Sequence, residues 1–357
     1  MAAIEPENVS IIIPHYNGIQ ILIQCLNSLY TTDAAAAEIV LVDNASTDGS
    51  ADYVQSHYPD VRIISSPNNL GYAGGCNLGA QHASGDYLVF LNNDTIQAKD
   101  WLQPLLRRLG EDPQIAAVQP KIRNLVDQSK FDYAGGAGGG IDIFVIPFAR
   151  GRIMDEVEID SGQYNSPTEI FWASGTAFIT RSDIFHNSGG FDELLFAHME
   201  EIDFCWKCHL QGFRVVYEPK SVIFHRGGST LAYFSPRKTY LNHRNSILLL
   251  LTNYYPLYAL TVFPLRLIME FGSILKDMFT GRWKHVLAQV RALGWILFHP
   301  HRIYGRYRKT KALRVRSDND LRTHMYRSSI LWAHLVERRR TYSDLNPRLL
   351  GEKELNS

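Results

Sequence analysis

Cysteine is scarce in this chain and forms no framework. Cys25, Cys76, Cys205 and Cys208 are 4 of 357 residues, and the last two make a lone C-x-x-C with no second pair. That spacing excludes a disulfide scaffold and a four-cysteine zinc site, and it fits a reducing, cytoplasmic compartment. The opening MAAIEPENVS lacks a basic stretch followed by an apolar one, so no signal peptide is expected. Internal repeats are missing as well. Disorder is excluded by composition, because 45% hydrophobic residues over this length can bury a large core. Length predicts two domains, or one domain with an extension.

Each half of the chain lacks charge of one sign. Residues 1–235 carry 14 Lys and Arg against 28 Asp and Glu, whereas residues 236–357 carry 22 against 8; a chain of zero net charge is a −14 part joined to a +14 part. A basic part of that size implies an anionic partner, nucleic acid or a lipid surface. No nucleic-acid reader motif accompanies it, so no nucleic acid is expected. From Asn245 to Leu265 charge is absent altogether for 21 residues. About 20 apolar residues suffice to cross a bilayer, but Asn253, Pro256 and Pro264 interrupt the run and favour a bent hairpin or surface-lying helices over a straight span. Residues 266–316 then mix apolar clusters such as ALGWILF with 12 basic residues and only Glu270 and Asp277 as acids. A basic amphipathic stretch rich in Trp, Phe and Leu suits the interface of an anionic membrane. A helical packing domain with a solvated basic face is the alternative.

What the first 120 residues do contain is alternation. VSIIIPHYN (9–17) reads as a buried strand closed by Pro14, GIQILIQCLNSLY (18–30) as a helix, and AEIVLVDNAS (37–46) as a second strand. STDGSADYVQSHY (46–58) reads as a helix capped at its start, VRIISS (61–66) as strand three, GYAGGCNLGAQHAS (71–84) as a glycine-led helix, and DYLVFLNND (86–94) as strand four. Strands alternating with helices predict a parallel, doubly wound sheet. Every strand ends in polar residues, so Asn17, Asp43, Asn44, Asn69 and the run Asn92, Asn93, Asp94 should share the rim where such sheets bind ligands. Residues 121–170, with GGAGGG at 135–140, read as a loop or hairpin excursion able to move over that rim. EIFWASGTAFIT (169–180) reads as one strand, the segment 189–212 as a loop and helix ending at Gly212, and FRVVYE and SVIFH as two further strands.

Several residues on this frame suit particular chemistry. Asp43 can accept hydrogen bonds from a base or ribose, or can close an Asx turn. Gly71 and Gly74, in LGYAGGCN, sit where a loop meets a helix and backbone can approach a phosphate or sugar. With a helix starting near Met199, Glu200 and Glu201 occupy its first turn, where the helix dipole favours the ionised form, and Asp203 lies on the same face as Glu200. An ionised carboxylate facing a hydroxyl is what a general base requires.

The motifs IIIPHYNG, VDNASTDGS, NNLGYAGGCNLG, LNND, WASGTAFITR, GGFDE, HMEEIDFCWK and VIFHRGG stand in the order found in family 2 glycosyltransferases of the GT-A fold, and the chain most resembles their bacterial rhamnosyltransferase-like branch over about residues 9–230. The resemblance implies a GT-A, Rossmann-like doubly wound sheet, mostly parallel, and the charge split and apolar content add a C-terminal amphipathic helical extension that associates with membrane. Together they divide the chain into a transferase domain at 1–235, a basic apolar helical region at 236–316 and a polar tail at 317–357. Within the first, residues about 1–120 would hold the nucleotide sugar and about 165–235 the acceptor.

Carried over by position, the resemblance implies that Pro14, Tyr16, Asn17, Asp43 and Asn44 bind the nucleotide, with Asn69, Gly71, Gly74, Asn77, Asn92 and Asn93 completing the donor site. The family's Asp-x-Asp, which holds Mg²⁺ or Mn²⁺ against the donor diphosphate, reads here Asn92, Asn93, Asp94, so one carboxylate is an amide. Asp94 is left as a metal ligand, with His225 as a second that helps to compensate for Asn92. Glu201 falls at the position of the family's base, beside Glu200 and Asp203. Trp172 and Gly175 resemble the acceptor wall, although a core Trp172 reads equally well. The implied activity is inverting transfer from a nucleoside diphosphate sugar such as dTDP-rhamnose to a hydroxyl of a lipid-linked glycan, in cell-surface polysaccharide synthesis, at the cytoplasmic face of the inner membrane with a peripheral or monotopic attachment. Two alternatives stand beside it. A sugar nucleotidyltransferase would need a Gly-, Arg- and Lys-bearing loop that IIIPHYNG lacks, and a non-catalytic membrane-docked scaffold would explain Asn92.

Overall fold

The structure, a computed structural model, describes residues 4–227 and 235–350. Gly228 of the HRGG motif and the last seven positions of the expected tail lie outside them. Strands β1 (Val9–His15), β2 (Glu38–Asp43), β3 (Arg62–Ser65) and β4 (Tyr87–Leu91) alternate with helices α1 (Ile19–Leu29), α2 (Ser50–His57) and α3 (Gly71–His82). β1 and β2 are near-continuous β-branched and Leu runs because helices cover both sheet faces, so both need apolar side chains. The chain continues through β5 (Thr95–Gln97), α4 (Leu102–Glu111) and β6 (Ile115–Asn124). Next come four short strands, β7 (Gly139–Ile141), β8 (Pro147–Ala149), β9 (Arg152–Ile153) and β10 (Glu156–Val157), which form a separate antiparallel sheet. β11 (Thr168–Glu169), β12 (Ala177–Arg181), α5 (Ser182–Asn187), α6 (Glu200–Gln211) and β13 (Arg214–His225) complete the first part.

The main sheet runs β3-β2-β1-β4-β12-β6-β13-β11, with β5 beside β13. β1 pairs in parallel with β2 and β4, and β6 with β13, while β12 enters antiparallel between β4 and β6. In register, His15 lies beside Asp43 and Asp43 beside Ser65, so these strands end level and their following loops form one rim.

Three expected elements differ. FRVVYE and SVIFH are one strand, β13, because a bulge between Glu218 and Val222 lets it pair past Pro219. The expected strand 169–180 is broken: residues 170–176 leave the main sheet, and Gly139 pairs with Trp172 instead. The 121–170 excursion is an ordered small sheet rather than a mobile loop. Its glycines make room for an indole, since a Cβ at Gly139 would overlap the ring of Trp172, whose Nε1 donates to Gly140 O at 2.8 Å.

The C-terminal part is helical: α7 (Pro236–Asn253), α8 (Pro256–Phe279), α9 (Trp283–Phe298), α10 (Pro300–Leu313), α11 (Asp318–Arg322) and α12 (Ile330–Leu335). The charge-free run does bend, at Tyr254 and Tyr255 between α7 and α8. Pro256 starts α8 at its first turn, where a missing N–H costs nothing, and Pro264 is carried inside the helix without ending it. Residues 317–350 are not a free tail. Leu321, Met325, Ile330 and Leu345 are buried in the core, and Ile330 N donates to the buried Asp142 carboxylate at 3.0 Å.

Candidate active site

The sheet rim opens into a cavity of about 1700 Å³. On one side lie Pro14, Tyr16, Asn44, Asn69 and Gly71. Gly71 takes φ 72° with no room for a Cβ against Phe196, so its place at the start of α3 requires glycine. Asn44 Nδ2 donates to Gly71 O at 3.3 Å, while its Oδ1 is buried with no partner among the described residues, an acceptor free for a ligand N–H. Asn93 Nδ2 donates to His15 Nδ1 at 2.7 Å, and His15 Nε2 meets Ser50 Oγ at 2.9 Å. Burial lowers the pKa of His15 against the pull of Asp48 and Asp43, keeping a neutral ring that can accept from Asn93. His15 carries no signal in the sequence beyond its place at the end of β1.

Other rim residues serve the frame. Asp43 Oδ1 accepts from Ser46 N at 3.0 Å, the Asx-turn alternative, and Asn17 Oδ1 accepts from Thr47 N at 2.8 Å; neither side chain is part of the cavity wall. Gly74 is buried against Leu70 inside α3. Asn77 bonds both ways to the backbone of Phe191, pinning α3 to the GGFDE loop. These two belong to packing and not to a donor site.

At the end of β4, Asp94 Oδ1 lies 3.1 Å from His225 Nε2, and the Asn92 amide nitrogen lies 3.4 Å from the same atom. His225 Nδ1 donates to Asp132 Oδ1 at 3.0 Å. Burial would depress the imidazole, but Asp132 and Asp94 outweigh it and push it up to about 10. This donor set fits a divalent cation. A carboxylate oxygen and an imidazole nitrogen converge with an amide that can present its oxygen; a cation entering there would displace the Nε2 proton that His225 shares with Asp94, while Asp132 keeps hold of Nδ1–H. Asp132 went unread because it lies in the glycine-rich excursion, 93 positions from His225.

α6, whose start also lines the cavity, follows a loop with left-handed backbone at Phe196, His198 and Met199 (φ 64°, 68° and 76°). Glu200 and Glu201 open into the cavity from the first turn. The expectation of dipole-favoured ionised acids is overturned by burial. Desolvation, then the neighbouring Glu201, raises Glu200 well above the usual carboxylate range; desolvation pushes Glu201 up to about 7 against its backbone hydrogen bonds. A carboxylate titrating there can take a proton from a hydroxyl and pass it on. Asp203 turns away. It is fully buried, paired with Lys207 at 2.8 Å and with Arg306 of α10, and accepts from Asn253 Nδ2 at 2.8 Å. Burial alone would raise it, yet Arg306 and Lys207 hold it well below the usual range. It is a structural ion pair, not a third catalytic acid.

The loop before α6 is held from the C-terminal part. Asn245 Nδ2 lies within 3.2 Å of the carbonyl oxygens of Leu195, Ala197 and His198, and Arg244 donates to those of Leu194 and Leu195. Trp172 is mainly core, with one edge on the cavity; Gly175 O accepts from Tyr72 OH at 2.5 Å beside it.

Residues 10–185 match the sequence profile described as Glycosyl transferase family 2. They are a family 2 glycosyltransferase domain. A relative from Mycobacterium tuberculosis, "Pre-mycofactocin glycosyltransferase", is 27% identical over 239 residues, 65% of this chain and 46% of that protein. The chain thus spans about half the length of that relative. A second from the same organism, "N-acetylglucosaminyl-diphospho-decaprenol L-rhamnosyltransferase", is 27% identical over 220 residues, 57% of this chain and 72% of the other. Among solved structures, GalNAc-T7 with UDP, GalNAc and Mn²⁺ superposes with a TM-score of 0.56 at 20% identity, over 70% of this chain and 48% of that one. The transferase domain therefore has the GT-A fold, with the antiparallel β12 inside its otherwise parallel centre.

Proposed function

We propose that the protein transfers one sugar, with inversion, from a nucleoside diphosphate sugar to a hydroxyl of a lipid-linked glycan on the cytoplasmic face of the inner membrane. The observation that carries this reading is that Glu201, Asp94 and His225 all line one cavity at the sheet rim. The acceptor hydroxyl gives its proton to Glu201 as its oxygen bonds to the anomeric carbon. The bond from that carbon to the diphosphate oxygen breaks on the opposite face, and its electron pair leaves with the nucleoside diphosphate. Asp94 and His225, with Asn92 beside them, would hold Mg²⁺ or Mn²⁺, which supplies positive charge to the leaving diphosphate. Asn44, with its unpartnered acceptor, is suited to the base, and Tyr16 and Asn69 to the nucleoside. The second relative's name supports a rhamnose donor, for which we infer dTDP-rhamnose, and a lipid diphosphate acceptor.

A membrane position is supported by α8, the one helix among the described residues long and apolar enough to cross a bilayer. Its inner face carries the buried Arg266, Glu270 and Asp277, paired to His243, Arg282 and one another, while Leu257, Leu260, Ile268 and Phe271 face outward. A helix charged on its packed side and apolar on its free side suits a monotopic position. Purified protein screened against UDP-, GDP- and dTDP-sugars should show one that raises the melting temperature and is slowly hydrolysed in the presence of Mn²⁺. Binding of none, or binding without turnover to any lipid-linked acceptor offered, would favour the scaffold reading that Asn92 suggests.

A further inference from the structure

Behind the rim runs a line of hydrogen bonds that the transfer step does not use. It starts at α1, where the backbone N–H groups of Gly18 and Ile19 donate to Asp48 Oδ2 at 2.7 and 3.0 Å. Asp48 Oδ1 accepts from the Ser50 hydroxyl at 2.7 Å, Ser50 Oγ meets His15 Nε2 at 2.9 Å, and His15 Nδ1 meets Asn93 Nδ2 at 2.7 Å. Ser50 and His15 are buried, so water does not compete for these bonds.

The direction of each bond follows from the one before it. Burial works against the charge of Asp48, but the Ser50 hydroxyl and the backbone N–H groups of Ile19, Gly18 and Ser50 outweigh it and hold the carboxyl down to about 2, so Asp48 can only accept. The Ser50 proton therefore goes to Asp48, which leaves the lone pairs of Oγ for an N–H. His15 Nε2 supplies that N–H, and a ring kept neutral by burial then has a bare Nδ1 that can only accept. Asn93 has to meet it with the amide nitrogen. The oxygen end of the same amide is thereby turned from His15 and left to the cavity that Asn93 lines, and it takes no hydrogen bond among the described residues.

We propose that Asp48, Ser50 and His15 are positioning residues that lock the Asn93 amide with its oxygen toward the ligand, as the acceptor for one hydroxyl group of the nucleotide sugar. The proposal rests on the reading of a nucleotide-sugar donor and adds how the rim reads a hydroxyl of it. An amide free to turn over offers N–H or oxygen in nearly the same shape, whereas a fixed one distinguishes an O–H from a group that can only accept. In the sheet β1 lies between β2 and β4, so His15 stands between Asn44, after β2, and the Asn93–Asp94 loop, after β4. A donor lying along this rim with its base by Asn44 and its diphosphate by Asp94 brings its ribose to Asn93; the sugar beyond the diphosphate is the other source of a hydroxyl.

Melting-shift titrations of the full-length protein in Mn²⁺ distinguish the two. The ligands are whichever of UDP, GDP and dTDP binds, the same nucleotide without its ribose hydroxyls, and its nucleotide sugars. If the ribose is read, loss of its hydroxyls should weaken wild-type binding about 2- to 10-fold, the range of one hydrogen bond, and Asn93→Ala should abolish that difference. Ser50→Ala should abolish it too, although Ser50 is no part of the cavity wall: without an acceptor at Nε2 the ring takes its other tautomer, Nδ1–H faces Asn93, and the amide turns its nitrogen to the ligand. Asn93→Asp presents an oxygen whichever way it turns, so it should keep the difference and make it indifferent to Ser50→Ala. Both nucleotides carry the diphosphate, so the ratio of their affinities cancels the added charge. Effects of Asn93→Ala and Ser50→Ala confined to the nucleotide sugar would assign the hydroxyl to the transferred sugar instead. Variants that weaken all the ligands alike, or none, would make the line of bonds a brace for the strand ends and overturn the proposal while leaving donor use intact, as would full sensitivity to Ser50→Ala in the Asn93→Asp background. If none of the three nucleotides binds the wild type, the donor reading fails and the proposal with it.

Discussion

As the proposed base, Glu201 is held in reserve by its own desolvation. Its pKa near 7 means that the carboxylate needed for proton abstraction forms only as pH rises through that value. The kcat of transfer should therefore climb about tenfold per unit below pH 7 and level off above it, with Glu200, Tyr72 and Cys205 the titratable groups that feel the same charge. Glu201→Gln should cost roughly 10² or more in kcat while leaving the nucleotide melting shift in place; a flat pH profile in the wild type would remove Glu201 from this role. Asp132 would act on the proposed metal site through His225, whose Nδ1 it holds. Asp132→Asn should lower Mn²⁺ affinity by roughly 10- to 100-fold, readable by metal titration of the melting temperature. Asp94, His225 and Glu201 were marked by their motif positions in the resemblance, at the ends of β4 and β13 and the start of α6, and the structure brings all three to one cavity. Asp203 misled because helical spacing gives a face but not a direction: α6 turns that side of its first turn toward Arg306, from a helix about a hundred positions away in sequence.

The elements that the sequence pattern foretold best are β1 to β4 with α1 to α3, where both sheet faces and the helix seams are apolar and tertiary contacts agree with local preference. The pattern failed where glycine had another use. In 135–140 it read as looseness, whereas the residues make space for Trp172, which lies far along the chain and leaves no local trace. The same blindness hid α7. An apolar run with an Arg-Asn pair in it does not announce that the pair will grip the loop before α6. Three left-handed, non-glycine residues in that loop each carry a cost on the order of 1–3 kcal/mol, so the grip decides where the glutamates stand. Asn245→Ala should destabilise the protein by about 1–3 kcal/mol, the cost of leaving buried carbonyls unpaired, measurable as a lower denaturant midpoint. It should also lower kcat more than it weakens nucleotide binding; an unchanged kcat would show that the loop keeps its shape unaided.

Over the whole molecule, the charge split now has a geometry. The acidic part holds the sheet and its rim, and the basic part packs beside it, with the exposed face of α8 adjoining the cavity mouth. Binding to vesicles should need anionic lipid and decline between about 50 and 500 mM salt, since each basic residue near the surface contributes on the order of 1 kcal/mol that salt screens. Leu260→Asp with Phe271→Asp should abolish flotation without lowering the melting temperature, because both side chains are exposed. Retention of the protein on membranes after carbonate extraction would indicate a span instead. Removing everything after residue 235 would be a poor test of anchoring, since it also removes Arg244 and Asn245.

The Asp203–Arg306 pair has a further consequence, one of timing. As the chain leaves the ribosome, the sheet through His225 is complete some eighty residues before Arg306 exists, so the nucleotide rim can form on an unfinished protein. The helix bearing the glutamates cannot be locked until α10 is made and docked. Catalytic competence would then come late, after the α8 surface that meets the lipid has already emerged. Nascent chains arrested with residue 290 outside the ribosome should retain a nucleotide analogue yet turn over no sugar, and activity should appear only once Arg306 has emerged.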